Sequence, residues 1–197
     1  QQVDREWHSQ QAKNISPYLI DAPQVVVAGR REPLVKSSLL MVRGNLATDG
    51  GNFFLTRDER DELLNREPQA SLWIRKALGA SEFLNSKERW CLWLVGATDD
   101  DLRAMPDVMK RITAIRQLRL KAGHPAALKM AEKPHIFMQV SQPETGDYIL
   151  VPRVSSERRL YVPMGFFDAS TISTDLNNII PNGTRYEFGI LSSCTEP

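Results

Sequence analysis

Tyr148-Ile149-Leu150-Val151-Pro152-Arg153-Val154-Ser155-Ser156-Glu157-Arg158-Arg159-Leu160-Tyr161-Val162-Pro163-Met164-Gly165 is the stretch on which the fold and function of the chain turn. Its opening run, Tyr148 to Val151, is apolar and β-prone and suits a buried strand. A second short run, Leu160 to Val162, closes it before Pro163 and Gly165 punctuate the chain. Between the runs lies a polar, cationic turn: Arg153, Ser155, Ser156, Glu157, Arg158 and Arg159. Two strands gripping such a turn would offer hydrogen-bond donors to a polyanion. Arginine forks match phosphate oxygens and the acceptor edge of guanine, and a carboxylate can accept from cytosine or orient a neighbouring arginine. The competing reading is a solvated hairpin in which Glu157 pairs with the adjacent arginines. These residues leave both readings open.

Working outward, Ile136–Val140 reads as a strand and Gln142–Asp147 as the turn into Tyr148. Beyond Gly165, Ile179-Ile180 is an apolar stub, followed by a sharp turn and a new strand ending at Phe188, Ile190 and Leu191. Asn182 and Thr184 fall at the tip of that turn, where polar readers would sit, and Gly183 would supply a positive φ. On the N-terminal side, Val25-Val26-Val27 reads as a short strand ended by Gly29, with Arg30 and Arg31 facing either solvent or phosphate. Gly44-Asn45 and Asp49-Gly50-Gly51-Asn52 are turn signals.

The middle of the chain is helical. Thr56 and Glu59 form a Thr-x-x-Glu capping box that predicts a helix over 57–66. Pro68 marks the first turn of a second helix carrying Leu72, Trp73, Ile74 and Leu78 to Gly79. Arg89–Gly96 reads as a strand apolar on both faces, hence central, with Cys91 a core thiol. Thr98 caps a helix whose first turn holds Asp99, Asp100 and Asp101; the helix dipole explains these acids better than a metal site does. A long helix follows over Pro106–Ala122, with Val108, Ile112, Ile115 and Ala122 on one face. Arg119 falls inside that stripe, so it must pair, snorkel or face a ligand. Lys110, Arg111, Arg116, Arg119 and Lys121, with Lys129 and Lys133 beyond, make this the most basic region and candidates for phosphate contacts. A short helix resumes after His124-Pro125 and runs to Ala131.

The predicted fold is α+β, with mixed, mostly antiparallel sheet segments at both ends of the chain and a central helical insertion over about 98–133. The totals permit a real core in 197 residues, and a net charge of +1 means that any basic surface is local. Cys91 and Cys194 are too few for a disulfide framework and fit a reducing cytoplasm. No apolar run approaches the ~18–20 residues of a membrane span, and the N-terminus carries no signal-peptide pattern, so no membrane partner is expected. Gln1 in place of Met leads to the expectation of a fragment. The histidines His8, His124 and His135 lack ligand spacing, and no nucleophile elbow or glycine-rich cofactor loop is present. The residues therefore point to a non-catalytic recognition module with neither metal nor cofactor. Weaker alternatives are a scaffold domain whose basic helix docks an acidic partner, and a hydrolase with an unfamiliar site.

Several blocks together resemble one family: Asn14–Asp21, Gly44-Asn45 with Asp49-Gly50-Gly51, Glu88–Leu94, Tyr148–Gly165 and Ile179–Asn182. In this order, covering about residues 13 to 193, they resemble the target recognition domain of MmeI-like bacterial restriction–modification proteins. The resemblance implies a domain over 23–193 that reads base edges in the major groove of double-stranded DNA. Residues 1–22 would be a connector from an upstream adenine methyltransferase domain that uses S-adenosylmethionine, and 194–197 a tail. The parent would be a site-specific adenine methyltransferase, with or without endonuclease activity. The base-reading candidates are Arg153, Ser155, Ser156, Glu157, Arg158, Arg159, Asn182 and Thr184; Arg30, Arg31, Lys110, Arg111, Arg116, Arg119 and Lys121 would meet the phosphate backbone.

Overall fold

The computed structural model describes residues 11–17, 19, 21–26, 39–156, 159 and 161–193. Contacts divide the chain into two units, Gln1–Ser38 and Leu39–Pro197. In the first, Ile15 and Asp21 form an isolated antiparallel bridge, and the Asn14 side-chain amide donates to the Ala22 carbonyl. Val25 and Val26 do not form the expected strand: both are exposed, neither joins a strand pairing among the described residues, and the Val25 N–H turns back to the Pro23 carbonyl at 2.8 Å. Val27, Arg30 and Arg31 lie outside the described residues.

The second unit holds β1 (Val42–Arg43), β2 (Phe54–Leu55), β3 (Ile74–Leu78), β4 (Trp90–Leu92), β5 (Asp147–Pro152), β6 (Gly165–Asp168), β7 (Ile172–Ser173) and β8 (Asn177–Pro181). They form two four-stranded sheets, in the orders β1-β8-β5-β6 and β2-β4-β3-β7. All pairings are antiparallel except β3 with β7. The helices are α1 (Arg57–Arg66), α2 (Ala80–Leu84), α3 (Asp99–Arg103), α4 (Pro106–Ala122), α5 (Pro125–Met130) and α6 (Arg185–Ser192). The expected α+β class is what this chain adopts. Side-chain alternation divides the first sheet. Tyr148, Leu150 and Ile179 pack toward Leu78, Val42 and Phe83, whereas Ile149, Val151 and Ile180 pack under Phe188, Leu191 and Met164. The second sheet and α4 enclose the larger core, where Phe137 meets Phe53 and Trp93 at ring-centre distances of 4.7 and 5.1 Å.

Local signals held where they were strongest. Thr56 with Glu59, and Thr98 with Asp101, close the capping boxes of α1 and α3, and α4 has the expected bounds. β4 is an inner strand, though only Trp90–Leu92 of the expected 89–96 pairs. Cys91 is fully buried, and desolvation pushes its thiol pKa up, so it is an inert core thiol.

Four expectations are corrected. The second helix is a 3-10 turn, Pro68–Leu72, followed by β3, because pairing with β4 outweighs the helical reading of Trp73–Leu78. Gly44-Asn45 is not a turn: Asn45 bridges Thr174, and a Cβ on Gly44 would lie 2.2 Å from the Thr174 carbonyl oxygen, so close backbone approach demands the glycine. The strand expected at Ile136–Val140 is a single bridge between Leu46 and Gln139. The strand expected after Thr184 is the helix α6.

Arg119 explains the third correction. It is fully buried, and its guanidinium donates to five carbonyls: Thr48 (3.3 Å), Met130 (3.0 Å), Lys133 (3.4 Å), Ala47 (3.0 Å) and Ile136 (2.8 Å). The 130–136 segment coils around the guanidinium instead of extending. Burial draws the Arg119 pKa down and Asp49 opposes that shift. Ala122, expected on the buried stripe, is exposed. Replacing Arg119 with Met leaves these five carbonyls, that of Ala47 buried and the others partly so, without their donor. The expected cost is roughly 3 kcal/mol or more, read in urea denaturation. Arg119→Lys should recover only part of it, since an ammonium offers three donors to the guanidinium's five.

Candidate nucleic-acid interface

β5 pairs Leu150 with Gly165 on one side, while its last residues, Val151 and Pro152, pair with Asn178 and Asn177 of β8. Tyr161 and Val162 of the expected second run are therefore not the returning strand; β6 is, and residues 153–164 connect it to β5. Tyr161 and Val162 are exposed, and Pro163 cannot donate to a ladder. Within the loop Arg153, Val154, Ser155, Ser156 and Arg159 are exposed, and the Arg159 N–H closes a turn on the Ser156 carbonyl at 3.1 Å. Glu157 and Arg158 lie outside the described residues.

Arg153 is held where it leaves the sheet. Its N–H donates to the Leu176 carbonyl at 3.0 Å and its guanidinium to the Asp175 carbonyl at 3.1 Å. Arg43, at the end of β1, reaches the same residue: it donates to the Asp175 carboxylate and, at 3.4 Å, to its carbonyl. Two exposed arginines thus converge on one aspartate at the mouth of the loop. Arg43 and Asp175 escaped the sequence reading because nothing local marks a lone arginine that meets its partner across two strands.

Asn182 and Thr184 are elsewhere. Pro181 pairs with Tyr148, at the start of β5, so these two residues sit at the end of the sheet opposite the loop. Six residues of strand separate the ends by about 20 Å. Asn182, not Gly183, has the left-handed backbone, with φ 57°. Gly183 is required for another reason: a Cβ there would lie 2.7 Å from the Ile149 side chain. Thr184 caps α6, accepting from Tyr186 N–H at 3.1 Å and sharing a capping box with Glu187. The same hydroxyl and backbone contacts hold the Glu187 carboxyl below its ordinary pKa. The Thr-x-x-Glu signal was legible in the sequence, as it was at Thr56.

The helical cations separate into two kinds. Arg119, expected at the phosphate backbone, is buried and saturated by carbonyls. Arg111, expected beside it, is tied to the Asn52 and Phe54 carbonyls and to Glu59 at 3.2 to 3.4 Å, fastening α4 to β2 and α1. Lys110, Arg116 and Lys121 are exposed, Lys110 pairing with Asp107 at 2.7 Å.

A family described as MmeI, target recognition domain, matches residues 21–196. The chain is 36% identical over 181 residues to DNA methyltransferase A of Bacillus subtilis (strain 168), covering 91% of this chain and 20% of that protein. It also superposes on the Type IIL restriction–modification enzyme MmeI, solved in complex with DNA, with a TM-score of 0.86 and 41% identity. That match covers 92% of this chain and 24% of the MmeI chain. The chain thus spans about a fifth to a quarter of the length of these relatives.

The capping geometry separates bracing from reading at Thr184. Thr184→Ala should lower stability by about 1 kcal/mol and leave the DNA sequence preference unchanged. Chemical denaturation and binding-site selection on the same variant check the two halves of that expectation.

Proposed function

We propose a function from one established premise: the chain belongs to the MmeI target recognition domain family. It recognises a short sequence in double-stranded DNA by presenting the loop 153–164 and its arginines to base edges in the major groove. The observation that carries this reading is a connection, clamped at both stems by a sheet, whose described arginines, Arg153 and Arg159, are exposed, with Arg153 and Arg43 fixed on Asp175. Arginine held in a fork donates to two acceptors of guanine at once, which a freely rotating side chain does less well. Arg159, Ser155 and Ser156 are the remaining described candidates on the loop. Lys110, Arg116 and Lys121 supply sequence-independent attraction to phosphates.

The domain works within a longer polypeptide that methylates adenine using S-adenosylmethionine, with residues 1–22 leading from the methyltransferase part. The resemblance to DNA methyltransferase A and to MmeI, each spanned only in part, supports this. This chain's share is to select and orient the duplex. We place the protein in the cytoplasm with its DNA; among the described residues no helix is long and apolar enough to cross a membrane. A scaffold role for α4 is not favoured. Its stripe Val108, Ile112 and Ile115 is buried in the chain's own core, and Arg111 and Arg119 bind the chain's own carbonyls.

Two classes of variant test the reading in the intact polypeptide. Lys110→Ala or Lys121→Ala should weaken binding to all duplexes alike and flatten the log affinity against log salt slope by about 1 each. Arg153→Ala should relax preference at one base pair while the salt slope changes little. A lysine variant that alters the preferred sequence, or an Arg153 variant that alters nothing, would contradict the assignment.

A further inference from the structure

The strand register sets a second group of polar side chains beside the loop. Arg43 of β1 pairs with Asn178 of β8, and Asn178 pairs with Val151 of β5. Residues directly opposite in an antiparallel ladder share a face. Val151 belongs to the cluster of Ile149 and Ile180, whereas Val42 and Ile179 pack on the other side, so Arg43 and Asn178 lie on the Ile149 face. This is a row across three strands, and its β5 member, Val151, lies two residues before Arg153. The Asn178 side chain is half-buried, and no hydrogen bond holds its amide among the described residues. By contrast, Asn177 beside it is buried and donates to the Leu78 carbonyl at 2.8 Å, and Asn45 is saturated by Ser141, Gln142 and Ser173. An uncommitted carboxamide between a pinned arginine and the loop has both a donor and an acceptor to offer.

We infer that Asn178, with Arg43 held by Asp175, forms a second base-reading element on the sheet itself, Asn178 reading an adenine and Arg43 a neighbouring guanine. This rests on the reading of the loop as a DNA interface and extends it from the loop to the strands. The chemistry selects the bases. A carboxamide donates to N7 and accepts from N6 of adenine in the major groove, and a guanidinium donates to O6 and N7 of guanine. The spacing fits as well. Adjacent strands lie about 4.8 Å apart, against about 3.4 Å between successive nucleotides along one strand, so the two side chains address neighbouring base pairs. Asp175 is a positioning residue: it leaves part of the Arg43 fork free while fixing its direction.

The test is selection of bound duplexes from a randomised library by the intact polypeptide, followed by sequencing, with affinity for random DNA and the thermal midpoint measured in parallel. Asn178→Ala should lose discrimination by roughly 10-fold or more at one base pair, with nonspecific affinity and melting kept. Asn178→Asp, nearly isosteric, guards against a folding defect in the alanine variant. It should disfavour adenine at that same base pair and favour cytosine, whose amino group a carboxylate accepts. Arg43→Ala should relax the adjacent pair, and Asp175→Asn should weaken the same preference as Arg43→Ala. If both Asn178 variants select the parental sequence at parental stringency while Arg153→Ala relaxes it, the sheet element is wrong and the loop reading stands. If the unaltered polypeptide selects no sequence, the recognition function itself is wrong.

Discussion

The connection from Ser173 to Asn177 belongs to both sheets at once, and the rest of the domain depends on that constraint. Thr174 N–H donates to Leu78 of β3 at 2.9 Å, and the Asn177 side chain donates to the same carbonyl. On the other side, Gly44 N–H donates to the Asn177 carbonyl and Asn45 N–H to the Ser173 carbonyl, each at 2.9 Å. Asn45 then extends the brace: its side-chain oxygen accepts from Ser141 and Gln142, and Gln142 donates to Ala169 and Thr171. The paired groups of this network would be costly to leave unpaired, so it fixes one arrangement of the two sheets rather than a family of them, even though Thr174 Oγ1 and Asn177 Oδ1 are buried without a partner among the described residues. Asp175 is carried within this connection, and through it the positions of Arg43 and Arg153 are referred to the core.

A similar device anchors the helical layer. Glu67 is buried, and its carboxylate accepts from Asp107 and Val108 at the start of α4, where Met105 offers no capping side chain. The negative charge meets the positive end of the helix dipole and satisfies two otherwise unpaired N–H groups. With Glu67 at its first turn and Arg119 near its last, α4 is fixed at both ends by charges turned inward. Of the outward cations, Lys110 pairs with Asp107, while Arg116 and Lys121, unpaired among the described residues, are left for another partner.

How much of this could be read from the chain alone followed the range of the physics involved. Thr56 with Glu59, Thr98 with Asp101 and the stripe Val108, Ile112 and Ile115 are local, and they placed α1, α3 and α4 correctly. The stretch Trp73–Leu78 carries no local feature that favours a strand over a helix; only its sheet partners β4 and β7, distant in sequence, decide it. Arg119 was recognisable as an anomaly in an apolar stripe, but its five acceptors come from segments 11 to 72 residues away. The loop's cationic composition was visible, whereas its length was not, since Tyr161 and Val162 have the propensity of a strand but no strand partner among the described residues. The pair Arg43 and Asp175, 132 residues apart, lay beyond any motif.

The stems that close the segment 153–164 lie mainly outside it. β8 grips Val151 and Pro152, β5 grips Gly165, and Met164 lies against Ile149, Val151 and Ile180. The free energy that makes the domain fold is therefore gathered beneath the loop, and the loop itself contributes little to it. Exposed substitutions of this kind typically move stability by no more than about 0.5 kcal/mol. Even doubling a flexible loop's length adds only about 0.6 kcal/mol of closure entropy. Mutational drift on the loop we propose to face DNA is thus nearly invisible to the folding equilibrium. A lineage built on this scaffold can acquire a new recognition sequence without first acquiring a more stable protein.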